Sequence, residues 1–240
     1  MTDAIAPVPE KAGIWEDFID ILHQPSTVFD RRRAGQFGLA LLILVVVFAI
    51  LYFALRNGLG PVTDAEFDRQ AAAMARNNPN MTADQLAGAR GAMEKFALFG
   101  AVVFVPIGVL ITGALIWLLG KLFDAKVIFA AAMMIATYST VPRLIELVVT
   151  ALQGLFLPPE DITSRFSVTL GLGRFLSPDT NPALLALLGS VEVFTIWTVV
   201  LMAIGVSVVA RVPMGRAAAV AASVWVVSFL PALFGALRQG

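Results

Sequence analysis

Cysteine is absent from the 240 residues, which excludes disulfides, thiol catalysis and cysteine metal sites. Histidine occurs once, as His23, and no carboxylates cluster with it to complete a metal site. Neither Gly-x-Ser-x-Gly nor His-Glu-x-x-His is present, so an intramembrane enzyme is the least favoured class, and no cofactor is expected. Charge is scarce at 14% of residues, and 17 basic side chains balance 17 acidic ones, which leaves nothing to attract nucleic acid. Apolar residues fill the gap, at 58% of the chain with a mean hydropathy of +0.83. A soluble domain is nearer ~45–50% apolar and about 25% charged. The chain therefore reads as an all-α, polytopic integral membrane protein.

Five apolar runs are long enough to cross a bilayer: 36–55, 96–119, 127–157, 184 or 191 to 210, and 217–237. Residues 1–35 form a polar N-terminal segment that does not fit a cleavable signal peptide, so the first apolar run is expected both to target and to anchor the chain. A loose tail over 1–13 leads to Trp15, Phe18, Ile19 and Leu22 at helical spacing, with Glu16, Asp17 and Asp20 on other faces. That predicts a short amphipathic helix ending before Pro25, either lying at the membrane interface or packed against the bundle. Ser26 or Thr27 is the expected cap of a second short turn. Arg31, Arg32 and Arg33 then precede the first span and read as a cytoplasmic flank.

Residues 56–95 read as a soluble helical insert in an otherwise membrane-embedded domain of 36–240. Thr63-x-x-Glu66 and Thr82-x-x-Gln85 have capping-box spacing, predicting two helices parted near Asn77-Asn78-Pro79, the second running on into the next span. With the N-terminus inside, the short inside loops hold Lys11, the arginine triplet, Lys121, Lys126, Arg211 and Arg216. Arg56, Arg69, Arg76, Arg90, Lys95, Arg165, Arg174 and Arg238 fall outside, and the short inside loops decide the orientation. The expected location is a bacterial cytoplasmic membrane, N-terminus inside.

The third run departs from the rest. Near its centre it carries Thr137, Tyr138, Ser139, Thr140, Pro142, Arg143 and Glu146. A charge at mid-bilayer depth costs ~2.5–3.5 kcal/mol on insertion scales, so Arg143 and Glu146 need a reason to be there. Three residues apart, they share a helix face and can pair. Pro142 removes a backbone donor and predicts a kink or break, and the hydroxyls of Thr137, Ser139 and Thr140 could re-satisfy the freed carbonyls. Glu192, at the entrance of the fourth span, completes the candidate cluster. Gly171-Leu172-Gly173 lacks the strand, the third glycine and the Lys-Ser/Thr of a phosphate loop. The surrounding loop, with Phe166, Val168, Leu170 and Phe175, is apolar enough to lie at the interface or dip into the bilayer.

Several motifs taken in order resemble the Yip1 domain family. They are Trp15-x-x-Phe18-x-x-Ile21-Leu22-x-x-Pro25-x-x-x-Phe29, Tyr138-Ser139-x-x-Pro142, Leu176-Ser177-Pro178, Val193-Phe194-Thr195-Ile196-Trp197, Leu201-x-x-Ile204-Gly205 and Ala210-Arg211. The resemblance spans most of the chain apart from 56–95 and implies a five-helix bundle with a cytoplasmic N-terminus. Eukaryotic relatives associate with Rab GTPases in vesicle traffic. That role does not carry over, because their long N-terminal region is short here and their partner-binding residues have no match.

Two functions of different class follow. One is a non-enzymatic membrane scaffold or adaptor, whose partners are the lipid bilayer and a membrane protein or a second copy of the chain. The other is a small ion or solute transporter using Arg143, Glu146 and Glu192 with Tyr138, Ser139 and Thr140. A third reading makes Arg143 and Glu146 plain packing glue between helices. Small residues at Gly108, Gly113, Gly205, Ser207 and 217–223 permit close helix approach, within the chain or between copies. Trp117, Trp197 and Trp225 belong either to interfacial belts or to the bundle interior.

Overall fold

The computed structural model describes residues 13–78, 80–177 and 180–237. The foreseen tail before Gly13 with its Lys11, and also Pro79, Pro178 and Arg238, lie outside the described residues. Helices α1 (Ile14–His23) and α2 (Pro25–Arg31) come first. Pro25 occupies the first turn of α2, where its fixed φ suits the helix start, so Ser26 and Thr27 lie inside the helix and do not cap it. On α1, Ile21 is buried and Phe18 and Leu22 pack on the core, while Trp15 and Ile19 are 63% and 65% exposed. Its acidic side is not turned away from the protein: Asp17 is fully buried.

Gly35, at φ +87° and pressed against Ala130, turns the chain into α3 (Gly38–Ala54). These 17 residues rise about 25 Å. At Leu55 the chain bends by 83° into α4 (Arg56–Asn77), and only taken together are the two helices long and apolar enough for one candidate span. Four further spans satisfy length and apolarity on their own: Val102–Leu122, Phe129–Phe156, Val193–Ala210 and Met214–Leu237. The first belongs to α5 (Ala83–Leu122), whose start has the foreseen capping box. Gln85 N donates to Thr82 Oγ1 at 3.3 Å, and Thr82 N donates to Gln85 Oε1 at 3.0 Å. The Thr63 box does not form, because α4 has already begun at Arg56 and the Thr63 hydroxyl donates to the Leu59 carbonyl within the helix.

The third span is two helices, α6 (Phe129–Ser139) and α7 (Pro142–Phe156). Every residue from Ala131 to Ser139 is buried, so α6 is the axis of the bundle; a helix apolar on all sides is stable only there. Helix α4 lies on α7 with its backbone in contact: a Cβ added at Gly154 would run into the Gly58 carbonyl oxygen, and one at Gly58 into that of Ala151. The N-terminal turns of the insert are thus packed, not solvated. After α7 come three short 3₁₀ turns, then α8 (Pro182–Gly189), α9 (Val193–Ala210) and α10 (Met214–Leu237). In the loop Phe166 and Val168 turn inward, while Phe175 stays 79% exposed. Helices α9 and α10 pair, α6 lies between α5 and α9, and α2 rests on α9.

Some small residues act as foreseen. Gly113 accepts Met133 of α6, and Gly205 accepts Ile135 and Phe29. The Gly205 contact joins two of the family-like motifs at one point, because Phe29 comes from α2 and Gly205 from α9. Gly108 differs, since a Cβ there would meet nothing within 4 Å. It borders a cavity. Trp225 lines that cavity, while Trp117 stands edge-on to Phe129 under the Lys121 ammonium, 3.2 Å from its ring centre.

Candidate functional site

The break in the third span is made by local hydrogen bonding. At Thr140 and Val141 the helix tightens, with Thr140 N donating to Thr137 O and Val141 N to Tyr138 O, both at 3.2 Å. Pro142 then starts α7 where its missing N–H costs nothing. Two of the three foreseen hydroxyls take carbonyls of the preceding turn: Thr137 Oγ1 donates to Met133 O and Thr140 Oγ1 to Ala136 O, each at 2.8 Å. Ser139 does not; its buried hydroxyl has no partner among the described residues.

The polar residues of this span go to two places. Tyr138 leaves the Arg143 cluster altogether. Its ring packs on Phe18 at 5.9 Å, and its hydroxyl donates to Asp17 Oδ2 at 3.3 Å. The same Asp17 carboxylate receives Arg31 Nη1 at 2.7 Å and Arg32 Nε at 2.6 Å, and Arg31 also reaches Asp20 at 3.1 Å. Arg33 pairs with Asp30 at 2.6 Å and donates to the Val208 carbonyl at 2.9 Å, near the end of α9. The arginine triplet, read from sequence as a topological flank, is also a clamp that fastens α1 and α2 to α6 and α9. Charge-assisted bonds of this kind are stronger than neutral ones. Asp17 carried no signal, because periodicity separates polar from apolar positions without saying which polar group finds a partner.

Arg143 and Glu146 stay together on the first turns of α7. Arg143 Nη1 lies 2.5 Å from Glu146 Oε2 and 3.0 Å from Glu192 Oε1, and Nη2 donates to Thr195 Oγ1 at 3.0 Å. Glu192 is delivered by the glycine pair that resembled a phosphate loop. Gly171 and Glu192 form an isolated antiparallel bridge, with Leu172 N donating to Val191 O and Val193 N to Leu170 O, both at 3.1 Å. A side chain at Gly171 would strike Glu192 Cβ. Held there, Glu192 caps α9: it accepts from Phe194 N at 3.0 Å, Thr195 N at 2.5 Å and Thr195 Oγ1 at 2.6 Å. A carboxylate at a helix N-terminus satisfies orphan donors and complements the dipole. Thr195 was missed from the sequence, although its spacing three residues after Glu192 is that of a cap.

Beside this cluster lies a cavity of about 510 Å³ between α3, α5, α7, α9 and α10. Thr140, Arg143 and Glu146 line it together with Thr112, Thr150 and Ser228.

The profile of the Yip1 domain matches residues 19–236, nearly the whole chain. Neither a curated protein nor a solved structure matches it. The match covers the stretches that the fold brings together, from Pro25 and Phe29 to Tyr138, Pro142 and Gly205. With its bundle of apolar helices, this chain is a multi-pass membrane protein and belongs to the Yip1 domain family.

Proposed function

We propose that the protein is a non-enzymatic membrane scaffold or adaptor that organises the bilayer and docks partners on its surface. The carrying observation is that Glu192 is fully engaged as the cap of α9 while Arg143 ties it to α7. Charges committed in this way join helices and do not relay an ion. The exposed Trp15 and Ile19 on α1 support the reading, since an exposed apolar edge suits a helix that lies at the membrane surface. Flux measured in liposomes with protons and common ions should equal that of empty vesicles, and Glu146→Gln should only lower the melting temperature. Flux that vanishes in a folded Glu146→Gln protein would instead establish transport. That second reading is favoured by one observation, the cavity beside Glu146.

The same proposal has the N-terminal segment inside a bacterial cytoplasmic membrane. Helix connectivity supports it, because Lys121, Arg211 and Arg216 flank helix ends at the same end of the bundle as the arginine triplet. The cysteine-free chain allows a direct check with single cysteines at two exposed positions, Gln24→Cys and Asp161→Cys. A membrane-impermeant maleimide applied to intact cells should label Asp161→Cys and spare Gln24→Cys. The opposite pattern would reverse the orientation.

A further inference from the structure

The cavity has a chemistry of its own. At about 510 Å³ it falls within the range of ~300–1,000 Å³ of small-molecule sites. Much of its wall is apolar, from Phe48, Phe104, Val199, Met202 and Trp225, and such groups cannot coordinate a bare ion. Phe104, 58% exposed on the surface of α5, stands at its rim, so the space is not sealed from lipid.

The polar groups favour one kind of occupant. Arg143 faces Glu146 and Glu192, so one cation meets two carboxylates and an anionic head is disfavoured. Arg143 spends both terminal nitrogens inside the cluster. Glu146 uses Oε2 on Arg143 and has no described partner for Oε1. Thr140 and Thr198 donate their protons to the Ala136 and Phe194 carbonyls, which leaves them as acceptors on the wall. This end of the cavity is therefore rich in acceptors and formally negative, which suits a primary ammonium with three donors. By contrast, the hydroxyls of Thr112, Thr150 and Ser228 have no partner among the described residues and remain able to donate. Elsewhere in the protein, membrane threonines such as Thr137 bond back to their own helix, so three free hydroxyls around one space are a departure.

Depth agrees with a lipid. Counting from the clamp end at 1.5 Å per residue, Thr112 and Trp225 stand about 15–17 Å along their helices, Arg143 about 21 Å and Glu192 about 27 Å. In a hydrocarbon core of ~30 Å the charged end thus lies in the leaflet away from the clamp, with the apolar walls reaching toward the midplane. We infer that the cavity seats an aminophospholipid of that leaflet, its primary ammonium on Glu146 and the free hydroxyls of Thr112 and Ser228 donating to its phosphate and ester oxygens. The inference stands apart from the scaffold reading, which needs no ligand inside the bundle.

The test uses the full chain in detergent, with bound lipid read by native mass spectrometry. Phosphatidylethanolamine, phosphatidylcholine and phosphatidylglycerol of equal chain length are the probes. Phosphatidylethanolamine should bind at least tenfold more tightly than the other two. Dodecylamine should displace it, whereas ethanolamine at the same concentration should not. Glu146→Gln should lose at least tenfold in affinity. Gly108→Leu should do the same by filling the cavity, with its melting temperature unchanged because no neighbour stands within 4 Å of a Cβ there. Equal binding of the three lipids would overturn the inference, as would wild-type affinity in either variant. Displacement by ethanolamine alone would replace the lipid with a soluble amine.

Discussion

Asp17→Ala is expected to remove about 3–5 kcal/mol of stability, the range for breaking a buried ion pair from one side. Asp17 is fully buried and serves Arg31, Arg32 and Tyr138 at once. Its loss leaves a guanidinium pair facing a buried phenol, with only part of the charge redirected to Asp20. Helix α1 would then be held mainly by the apolar packing of Phe18, Ile21 and Leu22, so it should detach well below the temperature at which the spans unfold. Thermal unfolding in detergent, followed by limited proteolysis near Gln24, checks both parts. Glu16→Gln, at an exposed position on the same helix and still able to accept from Gly13 N, is the control and should change little. A variant as stable as the wild type, with α1 still protected, would mean that apolar packing alone holds the N-terminal segment. Replacing Asp17, Arg31 and Arg32 together by apolar residues should recover much of the loss, because the uncompensated charge goes with the pair.

Arg143→Leu is expected to have a similar effect at the other end of the bundle. It deprives Glu146 and Glu192 of their shared cation, leaving two carboxylates close together inside the membrane domain. The loss should again be about 3–5 kcal/mol. Glu192 keeps its two amide bonds, so α9 should still start at Val193 but be cut loose from α7. Arg143→Lys should recover only part of the stability, since one ammonium cannot span Glu146, Glu192 and Thr195 as the planar fork does. Hydrogen exchange at the Phe194 and Thr195 amides separates the outcomes. Exchange in Arg143→Leu is expected to stay as slow as in the wild type, and faster exchange would show that the cap depends on the arginine.

What was legible in the sequence was local. Apolar run length located the spans, Pro25 and Pro142 marked helix boundaries, and Thr82 with Gln85 marked the start of α5, because each signal acts within one or two turns. The failures share a cause as well. Thr63 and Ser26 had the right residue type for a cap, but stronger helix starts lay upstream, at Arg56 for one and at Pro25 for the other. Asp17 and Tyr138, separated by more than a hundred residues, and Glu192 and Arg143, by about fifty, meet only through tertiary packing. Of the candidate cluster, the fold brings Arg143, Glu146 and Glu192 together, whereas Tyr138 serves the clamp and Ser139 meets nothing described. The use of Gly171 in seating Glu192 depends on a backbone approach that a lone sequence does not encode.

The backbone crossing of α4 on α7 bears on how the chain is made. Gly58 leaves the ribosome about 100 residues before Gly154, and at ~5–20 residues per second that interval is about 5–20 s. Throughout it, the glycine face of α4 has nothing to close against. Helix α1 waits as well, since Tyr138 is also still to come. The N-terminal third of the protein must therefore persist in the membrane as an unfinished surface, and its final closure is set by the arrival of the third span.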